Sequence, residues 1–217
     1  VTLSEDAEGG VVEGSNESNA SEAGVTNLPL PEFVTYEGTT YTLTSINAYA
    51  FYLSGVADVT LPVSVNDVDD RAFRSSDVSS VTVAEGNPNY SSFDGALYDA
   101  DQLSLLLIPE GKQGTVRIPK TAEVAEASVF SHCPLVDSIS ADAGSAAFAS
   151  ENGLLYSSDL TTLLRVPAGA TEITIREGCT TIAAGALEAC ASLERINAPA
   201  SVTSISPDVF TSVPTVS

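Results

Sequence analysis

Any chemistry in this chain must be assembled from few parts: one histidine, His132, and three cysteines, Cys133, Cys179 and Cys190. His132 would have to serve every Ser-His, Cys-His or His-metal arrangement, and Cys133 beside it suggests such a pair. However, Ser131-His132-Cys133 fills the same slot of a repeated phrase as Glu188-Ala189-Cys190. A position that takes alanine elsewhere reads as loop surface. No glycine-rich phosphate loop, zinc-ligand pair or nucleophile elbow occurs in the sequence. The expectation is a non-enzymatic chain with no cofactor and no catalytic or metal-binding residue. Residues 66–70 (Asn-Asp-Val-Asp-Asp) and Asp94, Asp99 and Asp101 offer calcium-type oxygen ligands. Against this, Val68 is expected to point inward, sending Asp67 and Asp69 to solvent. The second copy of the other cluster reads Asn152, Ser157 and Asp159. Three cysteines are too few for a disulfide scaffold, and an odd number cannot all pair. Cys133 and Cys190 each follow a large apolar residue (Phe130, Leu187) by three positions. They are expected to be small buried apolar residues, two coils apart and too distant to bridge.

The elements that would position these residues form a repeat. The phrase is an aliphatic residue, a gap, a small residue or Val before a large apolar one, and then spaced apolars. It runs Ile46…Ala50-Phe51…Val56, Val59, Leu61-Pro62 and returns at Val68…Ala72-Phe73, Val124…Val129-Phe130, Ile182…Ala186-Leu187 and Ile205…Val209-Phe210. The inward residues Val59, Val81, Val116, Ile139, Ile173 and Ile196 are spaced 22, 35, 23, 34 and 23 apart. Short coils thus alternate with coils enlarged by a matched insert, in which Tyr98 of the first copy corresponds to Tyr156 of the second. Each insert reads as a β-hairpin jutting from its coil, with a turn near Asp99-Ala100-Asp101 or Ser157-Ser158-Asp159. Residues 33–43 read as a hairpin around Glu37-Gly38 that caps the first coil. A single short coil cannot bury its apolar face alone, so stacking must make the core. The expected fold is a leucine-rich-repeat-like right-handed solenoid. Its parallel β-sheet has about seven strands, with β-hairpin insertions in alternate coils and an N-terminal β-hairpin cap.

Composition bounds the partners. Eight basic against 29 acidic residues give a net charge of −21, which repels nucleic acid and anionic lipid. No stretch is apolar enough to insert into a membrane. Residues 1–31 carry six acidic side chains among Gly, Ser, Asn and Ala with no Lys or Arg before Glu32, and are expected to be a disordered acidic linker. The solenoid is expected to occupy 32–217 with a truncated C-terminus. Tyr36, Tyr41, Tyr49 and Tyr52 crowd the N-terminal end, where cap packing is the expected role and partner anchoring the alternative.

The phrase resembles the BspA-like leucine-rich repeats of bacterial surface proteins. The likeness rests on Leu43-Thr44-Ser45-Ile46-Asn47-Ala48-Tyr49-Ala50-Phe51, Ala72-Phe73, Val129-Phe130-Ser131-His132-Cys133, Val59-Thr60-Leu61-Pro62, Val116-Arg117-Ile118-Pro119 and the insert from Asn87-Pro88-Asn89-Tyr90 to Tyr98. It departs in Leu187 for the usual Phe and Ala198 for a strand aliphatic. The resemblance implies a secreted or surface-attached protein, extracellular, associated with adhesion to host proteins or other bacteria. The expected function is a monomeric protein-interaction or adhesion module with host or bacterial surface proteins as partners. A structural spacer is the alternative, and glycan binding at exposed Tyr98 and Tyr156 a minor one. The expected binding face is the outward strand residues Asp58, Thr60, Thr82, Thr115, Arg117, Ser138, Ser140, Glu172, Thr174, Arg195 and Asn197.

Overall fold

The computed structural model describes residues 10–12, 26–207 and 209–210. Among them the chain gathers into two compact units. The first runs to Gln102 and includes Pro109–Gly111; the second comprises Leu103–Ile108 and the residues from Lys112 on. The first holds β1 (Gly10–Val12), β2 (Asn27–Pro29), β3 (Phe33–Tyr36), β4 (Thr39–Ile46), β5 (Asp58–Leu61), β6 (Asp67–Val68), β7 (Ser80–Val83), β8 (Tyr90–Phe93) and β9 (Ala96–Asp99). The second holds β10 (Ser104–Leu107), β11 (Gly114–Ile118), β12 (Val124–Ala125), the single helical turn α1 (Ala127–Phe130), β13 (Val136–Ala141), β14 (Phe148–Glu151), β15 (Leu154–Ser157) and β16 (Thr162–Arg165). It ends with β17 (Glu172–Thr174), β18 (Thr181–Ile182), β19 (Arg195–Asn197) and β20 (Ser204–Ile205). The fold is a β-solenoid with almost no helix.

A coil that returns to its starting height after one period sets like strands side by side, in parallel. β5 pairs with β7 in the register Asp58↔Ser80, Val59↔Val81, Thr60↔Thr82, and β17 with β19 as Glu172↔Arg195, Ile173↔Ile196. Strand side chains alternate, so Val59, Leu61, Val81, Val116, Ile118, Ile139 and Ile173 turn inward and are buried. Each contributes about 1.5–3 kcal/mol on burial. The aliphatic residue that opens each phrase makes a second, shorter ladder: Ile46↔Val68 in β4–β6 and Ile182↔Ile205 in β18–β20. Between the two ladders, Phe51 and Phe73 are buried and stack with ring centroids 5.1 Å apart. Phe130 and Leu187 fill the same slot in the second unit, also buried.

Three expectations need correction. The first is the single seven-strand sheet. The longer strands pair as three separate ladders, β2–β5–β7, β11–β13 and β17–β19, because hairpin residues occupy the place of the next strand. The Val81 N–H donates to the Gly95 carbonyl (2.9 Å) and the Val83 N–H to Ser92 Oγ (3.1 Å). In the second unit the Ile139 N–H donates to the Gly153 carbonyl (2.8 Å) and the Ala141 N–H to Ser150 Oγ (2.9 Å). Both inserts therefore use up the edge donors of the preceding strand and close a ladder that would otherwise template further pairing.

The second correction is the jutting hairpin. The expected turn after Ser157 does join the antiparallel strands β15 and β16, but a further hairpin precedes it in each insert: β8–β9 turns at Asp94-Gly95 and β14–β15 at Asn152-Gly153. Ala96, Leu97, Tyr98 and Leu154, Leu155, Tyr156 are all at most 2% exposed. Three consecutive apolar residues belong to a strand covered on both faces, not to one that alternates. Gly153 is favoured here chiefly by its backbone, with φ at +76°. A Cβ would lie 3.0 Å from Ser138 Oγ, so Ser138 would have to shift slightly to admit a side chain.

The third concerns the leader and cap. The β3–β4 hairpin forms around Glu37-Gly38, both with positive φ (47° and 83°), as a two-residue turn demands. Yet β2, inside the stretch read as linker, precedes it and pairs with β5, and β1 pairs with β4. The rest of residues 1–25 lies outside the described residues.

A close approach without positive φ occurs at Gly111 and Gly169, which hold the same place in the two enlarged coils. Gly169 donates its N–H to the Val136 carbonyl (2.8 Å), and a Cβ there would sit 2.6 Å from the Pro134 carbonyl oxygen and 2.7 Å from that of Val136. Backbone cannot yield as a flexible side chain does, so Gly169→Ala is expected to cost about 2–3 kcal/mol in urea unfolding. Gly144→Ala, where the added Cβ meets nothing within 4 Å, should cost only the left-handed strain of about 1–2 kcal/mol.

Candidate interaction surfaces

The outward residues of the long strands fall in both units. In the first, Asp58 and Thr82 are exposed and Thr60, paired with Thr82, is half-buried. In the second, Thr115, Arg117, Glu172, Thr174, Arg195 and Asn197 are exposed, while Ser138 and Ser140 are half-buried. Register sets Thr115 opposite Ser138 and Arg117 opposite Ser140. Ser138 lies under the Gly153 turn, so the hairpin narrows this part of the face. The charges are locally answered. Arg195 Nη1 lies 3.5 Å from Glu172 Oε2, Asn197 Nδ2 donates to Glu172 Oε1 (3.0 Å) and Thr174 Oγ1 (3.3 Å), and Arg117 Nη2 donates to Asp142 Oδ1 (2.8 Å). Exposed pairs of this kind contribute little to stability. Their effect is to order a polar surface of short side chains.

The tyrosines divide differently from expectation. Tyr36, Tyr49 and Tyr52 are 56%, 42% and 43% exposed, and Leu53 is 65% exposed. Cap packing does not account for them. The sequence identified the tyrosines but not their exposure; Leu53 went unnoticed because a single loop leucine carries no pattern. Conversely Tyr98 and Tyr156 are fully buried, which removes the glycan reading that needed them exposed. The Tyr156 hydroxyl accepts the Arg176 N–H (3.2 Å), and Arg176 Nε meets Glu151 Oε2 at 3.0 Å, tying the hairpin to the coil that follows.

His132 is exposed and Cys133 is buried, as their repeat slots imply. Cys133 Sγ donates to the Phe130 carbonyl (3.0 Å), and burial pushes this thiol up to about 12; Cys190 is likewise pushed up to about 12 by burial. A nucleophilic cysteine needs a depressed value, so these are packing residues. Asp69 is held below the usual carboxylate range by its hydrogen bonds from Arg71. Among the described residues no group of three His, Cys, Asp or Glu side chains is placed to hold a metal ion.

The raised thiols carry a pH consequence. Their folded values lie above the ordinary 9.0, so the fold retains protons that the unfolded chain releases. Stability is then fully present below pH 9 and falls between about pH 9 and 12, by up to about 1.4 kcal/mol per pH unit per thiol. The Tm of the native chain should drop over that window, and the doubly substituted Cys133→Ala/Cys190→Ala chain should drop less. Equal slopes would refute this assignment.

Stacked coils with two parallel ladders, an inward aliphatic column and a buried Phe slot define a repeat solenoid of the leucine-rich type. The chain matches the BspA type Leucine rich repeat region in six copies, over residues 34–140 and 168–217, and belongs to that family. No curated protein matches. Among solved structures, a leucine-rich repeat protein from Eubacterium ventriosum is 17% identical with a TM-score of 0.54, over 92% of this chain and 56% of that one. The pneumococcal vaccine antigen PcpA is 15% identical with a TM-score of 0.54, over 99% of this chain and 67% of that one. At such identity the likeness establishes the fold. This chain spans little more than half the length of the first. Family membership indicates a bacterial scaffold of a typically non-enzymatic kind.

Proposed function

We propose that the chain is a protein-interaction or adhesion module presented outside a bacterial cell, attached to its surface or secreted. The observation that carries this is the set of ordered, outward polar side chains on the long strands, carried by a family scaffold associated with bacterial surfaces. The outward strand residues of each unit named above supply its contact residues, and host or bacterial surface proteins are its partners. The chain acts as a monomer, without nucleic acid, membrane insertion or cofactor. The test is to immobilise the full chain and pass over it purified extracellular-matrix and epithelial surface proteins at micromolar concentration. Saturable retention of at least one is expected; none retained would sink the reading. A spacer role draws support from one fact: Glu172, Arg195, Asn197 and Thr174 satisfy one another. It predicts that Glu172→Ser/Arg195→Ser leaves every retained partner unaffected.

A further inference from the structure

Resting on the protein-binding reading, we infer that the loop carrying Tyr49, Tyr52 and Leu53 is the anchor for a lysine- or arginine-bearing segment of the partner protein. The three side chains are 42%, 43% and 65% exposed on one short loop, whereas the outward strand residues include no aromatic. Interface energy concentrates in tyrosine, tryptophan and arginine, so the anchor belongs where the tyrosines are.

The loop is already fixed. The Tyr49 N–H donates to the Arg71 carbonyl (3.0 Å) and the Leu53 N–H to the Ser75 carbonyl (3.0 Å). Between them Phe51 is buried and stacked on Phe73, so Tyr52 is turned outward by its neighbour's burial. A loop backbone held this way needs little further ordering on binding.

The surroundings choose the partner's charge. Asp69 and Asp70 flank Arg71 beneath Tyr49. Asp69 holds that guanidinium at 3.1 Å and Asp70 at 3.5 Å, with the Asp70 side chain 78% exposed. Glu110 accepts the Ser75 N–H (2.8 Å) beside half-buried Arg74. Three carboxylates against two guanidinium groups leave this patch acidic on a chain of net charge −21. Tyrosine faces with adjacent carboxylates suit a cation, through the ring quadrupole and through Coulomb attraction.

The experiment is calorimetric titration of the full chain with hexaarginine and with hexaglutamate at physiological ionic strength. Wild type should bind hexaarginine and not hexaglutamate. Tyr49→Ser/Tyr52→Ser should weaken hexaarginine binding about tenfold, the loss of two cation–ring contacts. Tyr49→Phe/Tyr52→Phe keeps the rings and should stay within about twofold. Glu123→Gln/Glu188→Gln, two exposed acidic residues of the second unit, lowers the general field and should have a smaller effect than the serine pair. No hexaarginine binding by wild type overturns the anchor. So does a serine pair that binds like wild type, or a glutamine pair that loses as much. The protein-binding reading is judged separately. A surface protein retained equally by wild type and the serine pair leaves that reading standing and removes only the anchor.

Discussion

Phe73→Ala is expected to lower stability by about 3–5 kcal/mol, the range for emptying a well-packed aromatic site. Phe73 is 2% exposed and lies against the Phe51 ring at 5.1 Å with planes 11° apart. Its removal therefore takes away transfer free energy, a stacked partner and the support of the next coil together. The surroundings cannot collapse into the gap, because the backbone on either side is tied by ladder hydrogen bonds between β4 and β6 and between β5 and β7. With a urea slope of about 2 kcal/mol per molar, the midpoint should fall by roughly 2 M. Phe210→Ala is the control. Phe210 fills the same slot of the phrase but is 46% exposed, so its loss should cost well under half as much. If the two substitutions cost the same, the column of large apolar residues is not what holds successive coils together. Stability in a stacked array is a sum of unit and interface contributions. Hydrogen exchange should accordingly show the Phe73→Ala loss concentrated in β4 to β7.

The sequence made this column readable because a period exposes whatever recurs. Val59, Val81, Val116, Ile139 and Ile173 return at the spacing of the coil, and the structure buries each of them. The Glu37-Gly38 turn was equally readable, since few residue pairs tolerate two left-handed conformations. What escaped were features written in one or two residues. The second ladder consists largely of two-residue strands such as Asp67–Val68 and Thr181–Ile182, too short to show alternation. The ladder-closing contacts depend on a glycine carbonyl and a serine hydroxyl (Gly153 and Ser150), which look like ordinary turn residues. Their signal was the repetition of Gly95 as Gly153 and of Ser92 as Ser150 at one constant spacing. The same spacing links Gly111 to Gly169. As for the candidate surface, alternation correctly placed most outward strand residues. It could not decide the tyrosines, because a ring that packs and a ring that binds are the same residue type.

The second large effect is expected at Asn87, a buried polar side chain of the first unit, 9% exposed. Its Nδ2 donates to the carbonyls of Pro62 (3.0 Å) and Val65 (2.9 Å), and its Oδ1 accepts the N–H groups of Asn89 (2.8 Å) and Tyr90 (2.9 Å). Every hydrogen-bonding capacity of the amide is used, and the side chain joins the turn after β5 to the start of β8. Asn87→Ala leaves two carbonyls and two N–H groups without these partners. At about 1–3 kcal/mol for each group that water cannot reach, offset where it can, the cost is on the order of 3–4 kcal/mol. Asn87→Asp separates donor from acceptor roles. It keeps the oxygen that receives Asn89 and Tyr90 but points a carboxylate at two carbonyl oxygens. The N–H groups of Asn89 and Tyr90 favour the charged form, but burial and the two facing carbonyls oppose it more strongly. The folded pKa is then expected above the unfolded value, so stability is greatest below the unfolded carboxylate pKa and is lost as pH increases through the folded one. Asn87→Asp should therefore be more stable at about pH 4 than at about pH 7 relative to wild type at each pH, while Asn87→Ala should show the same deficit at both. In the second unit Ser145, at the corresponding place in the repeat, supplies only the acceptor half, to Ala147 (3.3 Å) and Phe148 (3.1 Å). Ser145→Ala should cost about 1 kcal/mol, the net worth of a modest hydrogen bond. Urea titrations of the four chains at the two pH values test the whole set. A pH-independent Asn87→Asp deficit would mean that the two carbonyls turn away from residue 87 and that the amide's donor half is not what fastens the insert.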